Sequence, residues 1–188
     1  MKIRTATVDD VPRLLQIYTP YVEDTAITFE YYVPSYEEFK HRMEVILEKY
    51  PYLVMEDEDE TIVGYAYVSP FNPRTAYNWD VELSIYLDEN CKGKGYGTTL
   101  YHTIEDILKK QNVTNVYALV GVPSGEEDEY LNFTSKKFHE KMGFTVAGTY
   151  HRCGHKFERW YDVCCMEKMI GEHKEYMEDF IPYTFIEG

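Results

Sequence analysis

The chain has little that would anchor it, cross-link it or hold a metal. No apolar run approaches the length of a membrane span, and Met1-Lys2-Ile3-Arg4 lacks a signal-peptide core. A cytoplasmic protein with no membrane association is therefore expected. The four cysteines, Cys91, Cys153, Cys164 and Cys165, show no Cys-x-x-Cys spacing. Cys164 and Cys165 sit side by side in a strand-like run, where they point to opposite faces and make poor joint ligands. Reduced thiols are expected rather than disulfides. The six histidines show no zinc-ligand pattern, so no metal is expected. Positive charge is also scarce: 19 lysines and arginines stand against 33 aspartates and glutamates, a formal net charge of −14. Neither nucleic acid nor an anionic membrane offers counter-charge to such a surface, which excludes a general binder of either. An anionic ligand has to be held by a local basic patch.

What is present is enough for a core. At 188 residues, 44% hydrophobic and with 19 tyrosines, the chain fits one globular domain. There is no internal repeat and no linker. Residues 1–170 read as the domain and 171–188 as an acidic extension. Tyr176, Phe180, Tyr183 and Phe185 make that extension too aromatic for a disordered end, and it is expected to dock on the domain or on a second subunit.

The periodicities set an order of elements. Ile3 to Ala6 is a strand, and Thr7-Val8-Asp9-Asp10 reads as a capping box before a helix faced by Val11, Leu14, Leu15 and Tyr18. Asp24 to Tyr32 is a loop. Ser35-Tyr36-Glu37-Glu38 caps a second helix carrying Phe39, Met43, Ile46, Leu47 and Tyr50. Tyr52 to Met55 and Ile62 to Val68 form a hairpin around the acidic turn Asp57 to Glu60. Val116 to Val122 is nearly all apolar, as in a strand covered on both faces. After an acidic loop, a helix with Leu131, Ser135, Phe138 and Met142 stops at Gly143. Phe144 to Tyr150 and Trp160 to Met169 are the last strands, with Arg152 to Arg159 as a polar loop between them.

The stretch from Trp79 to Tyr101 is chemically the richest. Odd positions from Trp79 to Leu87 are apolar, while Asp80, Glu82, Ser84 and Tyr86 share the opposite face of a strand. Lys92-Gly93-Lys94-Gly95-Tyr96-Gly97 follows, and then a helix with Leu100, Tyr101, Ile104, Ile107 and Leu108 on one side. Glycines at alternate positions let the backbone turn its N–H groups inward. The helix N-terminus and two lysines add positive charge, so the turn suits a phosphate or pyrophosphate.

This order of elements, with Lys92-Gly93-Lys94-Gly95-Tyr96-Gly97 after the fourth strand, resembles the GNAT superfamily of acetyl-CoA-dependent N-acetyltransferases. Lys92 stands where that family's glycine pattern usually begins with Gln or Arg. The resemblance is nearest to the phosphinothricin acetyltransferase-like branch. Thr28-Phe29-Glu30, Ala76-Tyr77-Asn78-Trp79, Val81 to Leu87, Gly95 to Tyr101, Asn132 to Ser135, His139 to Phe144, Gly154-His155-Lys156 and Trp160 to Val163 carry it. It covers about Ile3 to Met169. The acidic stretch from Gly125 to Tyr130 looks like an insertion, and the tail has no clear counterpart.

The resemblance implies an α+β fold with a mixed, mostly antiparallel central sheet flanked by helices. It implies acetyl-CoA as co-substrate, a small-molecule amine as acceptor and a homodimer. Glu82 takes the role of general base, for which a partly buried carboxylate with a raised pKa is suited. The backbone of Ile85, Tyr86 and Leu87 pairs with pantetheine. Lys92, Gly93, Lys94, Gly95, Tyr96 and Gly97 hold the pyrophosphate, and Asn132 and Ser135 match the family's second cofactor motif. His139 donates to the departing sulfur or orients the substrate. Arg74 and Lys156 are candidate partners for an acceptor's anionic groups, with Phe29 and Tyr77 as walls. Two other readings share the cofactor site: a non-catalytic acyl-CoA-binding or sensing module, and a protein N-acetyltransferase.

Overall fold

Residues 1–91 and 93–186 are described by the computed structural model, so the expectation for Lys92 lies outside the described residues. Among them the chain forms seven strands and four α-helices in the order expected from the sequence: β1 (Lys2–Thr5), α1 (Val11–Glu23), α2 (Tyr36–Leu47), β2 (Tyr52–Glu56), β3 (Ile62–Pro70), β4 (Asp80–Leu87), α3 (Tyr96–Lys110), β5 (Asn115–Pro123), α4 (Thr134–Lys141), β6 (Thr145–Lys156) and β7 (Arg159–Met169). Packing divides the chain into two compact units.

The first unit comprises residues 1–17, 34–116 and 169–188. In it β1, β2, β3 and β4 pair in sequence order, every pair antiparallel. β2 is buried along its whole length. Both predicted caps form. Ser35 Oγ accepts the Glu38 N–H (3.2 Å), and the Asp10 carboxylate accepts the Thr7 N–H (2.7 Å). Each satisfies an N–H that the first helical turn leaves without a partner. The β2–β3 turn is wound on Asp57, whose Oδ1 accepts the N–H groups of Asp59 and Thr61, both at 3.0 Å. Leu100, Ile104 and Leu108 of α3 are fully buried, as the 3.6-residue period requires.

The tail belongs to this unit. Ile170 N–H donates to the Thr114 carbonyl (2.8 Å), and Tyr183 N–H to the Lys49 carbonyl (2.9 Å). The Trp79 indole N–H donates to the Glu178 carbonyl (2.8 Å). Tyr183 is buried, with its hydroxyl 2.8 Å from Thr5 Oγ1. Gln111, fully buried, donates through Nε2 to the carbonyls of Lys49 and Ile181, both at 2.9 Å. One side-chain amide thus ties the end of α3 to the tail.

The second unit comprises residues 18–33 and 117–168. β6 and β7 form an antiparallel hairpin with register shifts at Val146/Gly148 and Tyr150/Gly154. The polar loop expected from Arg152 to Arg159 is therefore mostly strand: only Phe157 and Glu158 lie between Lys156 and its partner Arg159. Its polarity reflects an exposed strand, since β6 is exposed from Thr145 to Cys153. β5 also departs from expectation, because Leu119 is 48% exposed in a run expected to be covered on both faces. α4 begins at Thr134, three residues later than the apolar pattern suggested, because the Asn132 carboxamide accepts the Thr134 N–H (2.9 Å) and starts the helix there. It ends at Gly143, whose φ of +91° only glycine adopts readily.

The acidic loop before α4 is folded around its own cation. Asp128 accepts the N–H groups of Tyr130 and Leu131 (2.9 Å each) and pairs with Arg159 (3.0 Å). Arg159 also bridges both oxygens of Glu129 at 2.9 Å. Below it Ala26, Leu131 and Tyr161 form a small core against which Phe29, Tyr130 and Phe157 pack.

Gln111→Met preserves volume and removes the donor shared by the Lys49 and Ile181 carbonyls. It is expected to lower the free energy of unfolding by about 1–3 kcal/mol, measured by urea denaturation.

Candidate active site

β4 carries the central carboxylate. Val81 and Leu83 are buried, whereas Asp80, Glu82, Ser84 and Tyr86 are half-buried on the other face. Glu82 lies opposite Ser69 of β3. Burial alone raises its pKa above the ordinary glutamate value, because a charged carboxylate loses hydration there. Burial also raises Asp80, with nearby His173 acting in the opposite direction.

The backbone groups of β4 alternate between its two edges. The Asp88 N–H donates to the Val63 carbonyl (2.9 Å), and the Phe71 N–H donates to the Asp80 carbonyl (3.2 Å). Opposed residues of an antiparallel pair alternate between exchanging and not exchanging these bonds. With Tyr65 opposite Tyr86 and Ser69 opposite Glu82, the even residues of β4 turn their backbone groups to β3. The odd residues, Ile85 and Leu87 among them, turn theirs to the other edge. The expectation that Tyr86 offers its backbone to a cofactor is thus corrected: its N–H and C=O belong to the β3 ladder.

The glycine turn forms as an open left-handed bend. Gly93 has φ +79° and Gly95 φ +84°, and a Cβ at either position would meet nothing within 4 Å. Gly95 is the N-cap of α3, without a side-chain cap and with no acidic residue in the first turn. The first helical bond runs from the Thr99 N–H to the Gly95 carbonyl (3.1 Å). The N–H groups of Tyr96, Gly97 and Thr98 therefore have no intrahelical partner, and Lys94 is exposed beside them. Amides without an intrahelical partner, the positive end of a 15-residue helix and an unobstructed backbone fit a pyrophosphate.

In the second unit Asn132 is exposed, and with its Oδ1 committed to the Thr134 N–H its Nδ2 is the group available to a ligand. Buried His139 lies edge-on to Phe138 (5.6 Å) and Phe144 (5.4 Å). Its Nδ1 is 2.8 Å from the Ser135 carbonyl. A carbonyl only accepts, so Nδ1 carries the hydrogen, and Nε2 of the neutral ring is an acceptor. Burial lowers the His139 pKa, against a smaller opposing contribution from Ser135. Donation from Nε2 to a departing sulfur, as the resemblance implies for His139, would use the protonated ring, in which both nitrogens carry a hydrogen. Ser135 contributes its carbonyl to the neutral tautomer.

The expected acceptor residues separate clearly. Arg74 is exposed at the head of the short turn Thr75–Tyr77, and Tyr77 lies edge-on to Phe71 (5.7 Å). Lys156 does not face a ligand. It is 3% exposed, and its ammonium donates to the carbonyls of Val22 (2.7 Å), Thr25 (2.8 Å) and Thr28 (2.9 Å). An ammonium has three protons, so none remains for a substrate anion. Phe29 is half-buried and stacked on Tyr161 at 6.4 Å. Gly154, which no sequence motif marks as a contact, is the partner of Phe29. A Cβ there would lie 2.1 Å from the ring, and the only signal was a glycine inside a strand.

Among the described residues, no group of three or more His, Cys, Asp or Glu side chains is placed to hold a metal ion. Among the described residues no disulfide joins any of the four cysteines. No helix among those residues is long and apolar enough to cross a membrane.

Comparison with known proteins identifies the family. A family model described as Acetyltransferase (GNAT) domain matches residues 3–165. The phosphinothricin N-acetyltransferase of Streptomyces viridochromogenes is 31% identical over 163 residues, covering 87% of this chain and 84% of that protein. The L-methionine sulfoximine/L-methionine sulfone acetyltransferase of Pseudomonas aeruginosa is 29% identical over 167 residues, covering 88% and 92%. Among solved structures, a GNAT superfamily phosphinothricin acetyltransferase from Sinorhizobium meliloti in complex with AcCoA superposes with a TM-score of 0.84 at 29% identity, covering 97% of both chains. A match of this extent shows that the protein belongs to the GNAT family of acetyltransferases.

Proposed function

We propose that this chain transfers the acetyl group of acetyl-CoA to the primary amine of a small amino-acid analogue of the phosphinothricin or methionine sulfoximine type, with Glu82 as general base. The observation that carries the reading is Glu82 itself, a half-buried carboxylate whose pKa is raised by burial alone. It stands on the strand that leads into an anion-binding helix N-terminus. The names of the relatives supply the acceptor class.

Attack requires a neutral amine. Glu82 accepts the ammonium proton, directly or through water, and its raised pKa brings its basicity toward the operating range. Acetyl-CoA supplies the activated thioester when bound. The amides of Gly93, Lys94, Gly95, Tyr96 and Gly97, with the Lys94 charge, hold its pyrophosphate, and Asn132 Nδ2 donates to its pantetheine arm. Ile85 and Leu87 turn their backbone groups to the edge away from β3, the side from which an extended pantetheine can pair. Nε2 of His139 accepts a hydrogen bond and so orients an amine N–H. Arg74 takes the acceptor's carboxylate, with Phe29 and Tyr77 as walls.

The same reading places the reaction in the cytoplasm, where acetyl-CoA is formed and used. It also pairs two copies of the chain. Val146, Tyr150 and Trp160 are 47%, 62% and 56% exposed on the β6–β7 hairpin, an apolar surface consistent with self-association.

Acetylation of an amine panel containing phosphinothricin, methionine sulfoximine, methionine sulfone and an N-terminal peptide tests the reaction. Acetyl-CoA binding without turnover of any amine would leave the sensing module standing, and peptide turnover alone would favour a protein acetyltransferase. In Glu82→Gln, kcat is expected to fall by about 10²–10⁴-fold with acetyl-CoA affinity retained.

The pH profile follows from the sign of the shift. A general base works as its anion, so activity is lost as pH falls through the Glu82 pKa. That pKa is raised, so the acid limb of kcat/KM lies above the ordinary glutamate value of 4.5 and vanishes in Glu82→Gln.

Gly95→Ala tests the cofactor turn. A side chain at φ +84° costs about 1–2 kcal/mol, so calorimetry is expected to show acetyl-CoA binding weakened by about tenfold.

A further inference from the structure

Lys156 is a buried cation that the proposed chemistry does not use. Its three carbonyl partners all come from one segment, residues 22–28. Val22 lies in the last turn of α1, whose carbonyls have no intrahelical donor and carry the negative end of the helix dipole. Thr25 and Thr28 belong to the loop beyond. One ammonium therefore closes the helix and sets the path of the loop that presents Phe29.

A second contact lies two residues earlier on β6. The Phe29 ring occupies the space where a side chain of residue 154 would stand, within 2.1–2.5 Å of a Cβ built there. Residues two apart on a strand share a face, so Gly154 and Lys156 meet the same loop, one by leaving room and one by binding.

The turn that follows is itself strained. Phe157 and Glu158 adopt φ +51° and +60°, values that suit a two-residue hairpin turn but that side chains other than those of Gly, Asn and Asp rarely take. Contacts on both sides maintain it. Phe157 stacks on Tyr130 at 4.1 Å and 13°, and the Lys156 ammonium lies 5.1 Å from the Phe157 ring centre. Arg159, held by Asp128 and Glu129, lies over Tyr130 at 5.2 Å.

We infer that Lys156 is a positioning residue for the acceptor: by gathering the carbonyls of Val22, Thr25 and Thr28 it places Phe29 and thereby sets selectivity for the amine. This rests on Phe29 being an acceptor wall.

Steady-state kinetics on the full chain test it, with methionine sulfoximine as the varied amine. Lys156→Met is expected to raise the KM for the amine by about 10–100-fold, the scale of a displaced positioning group, with the KM for acetyl-CoA unchanged. Phe29→Ala is expected to act in the same direction. The double variant should be no worse than the worse single, because the two residues act as one unit. Multiplicative effects, or an equal rise in the KM for acetyl-CoA, would overturn the inference. Should Lys156→Met fail to fold, Gly154→Ala displaces the ring while leaving Lys156 in place. The same amine-selective loss is expected of it, and an unchanged KM for the amine overturns the inference. Chymotrypsin reads the loop without any turnover. Faster cleavage after Phe29 or Tyr31 in Lys156→Met is expected, and wild-type cleavage there counts against the inference. A wild-type chain that acetylates no amine, yet shows this cleavage difference, refutes the proposed reaction and leaves the positioning intact.

Discussion

A strand has two faces and two edges, and both alternate with the same period. The pairing of β3 with β4 therefore makes two decisions at once. With Ser69 opposite Glu82 and Tyr65 opposite Tyr86, the even residues of β4 present side chains on the polar face and give their backbone to β3. The odd residues Val81 and Leu83 are buried in the core, and the backbone of Ile85 and Leu87 turns to the far edge. A one-residue slip would bury Glu82 among the apolar side chains and exchange the amides as well. One register thus makes Glu82 a half-buried carboxylate and decides which amides face β3.

The acidic composition acquires a structural meaning once partners are assigned. Asp10 is pushed up by burial, but hydrogen bonds from Arg4 and Thr7 outweigh that and hold its carboxyl below the usual range. Asp128 and Asp162 behave alike, the first through Arg159 and two backbone amides, the second through Ser124, the Arg152 amide and His151. These aspartates are internal acceptors that close turns, so the net charge of −14 overstates the repulsion among free surface acids. Their depressed pKa values place their contribution to stability above the ordinary carboxylate range, and it is lost as pH falls through the folded-state values. The few cations are used sparingly, and Lys156 and Arg159 are both spent on the chain itself.

Much of this was legible in the residues. Alternation identified β4, the 3.6-residue period identified α3, and Ser35 and Thr7 marked helix starts by chemistry that acts within four residues. Glycines at 93, 95 and 97 announced an unobstructed turn, in which Gly93 and Gly95 take positive φ. Signals of this kind need only neighbours in sequence. The readings that failed each depended on a distant partner. Lys156 looked like a loop cation because its three carbonyls lie about 130 residues away. Tyr86 looked equivalent to Ile85 and Leu87 because the ladder phase is a property of two strands.

The sequence by itself determined the order of elements, the face on which Glu82 stands and the glycine turn before α3, since periodicity, capping and glycine conformation are local consequences of side-chain shape and hydrogen-bonding capacity. Only the tertiary structure decided which edge each β4 amide faces, which nitrogen of His139 carries its proton, and that Lys156 holds the loop of Phe29. Those outcomes are set by which donors and acceptors lose water together on folding, and burial pairs groups by their place in space, whatever their distance along the chain.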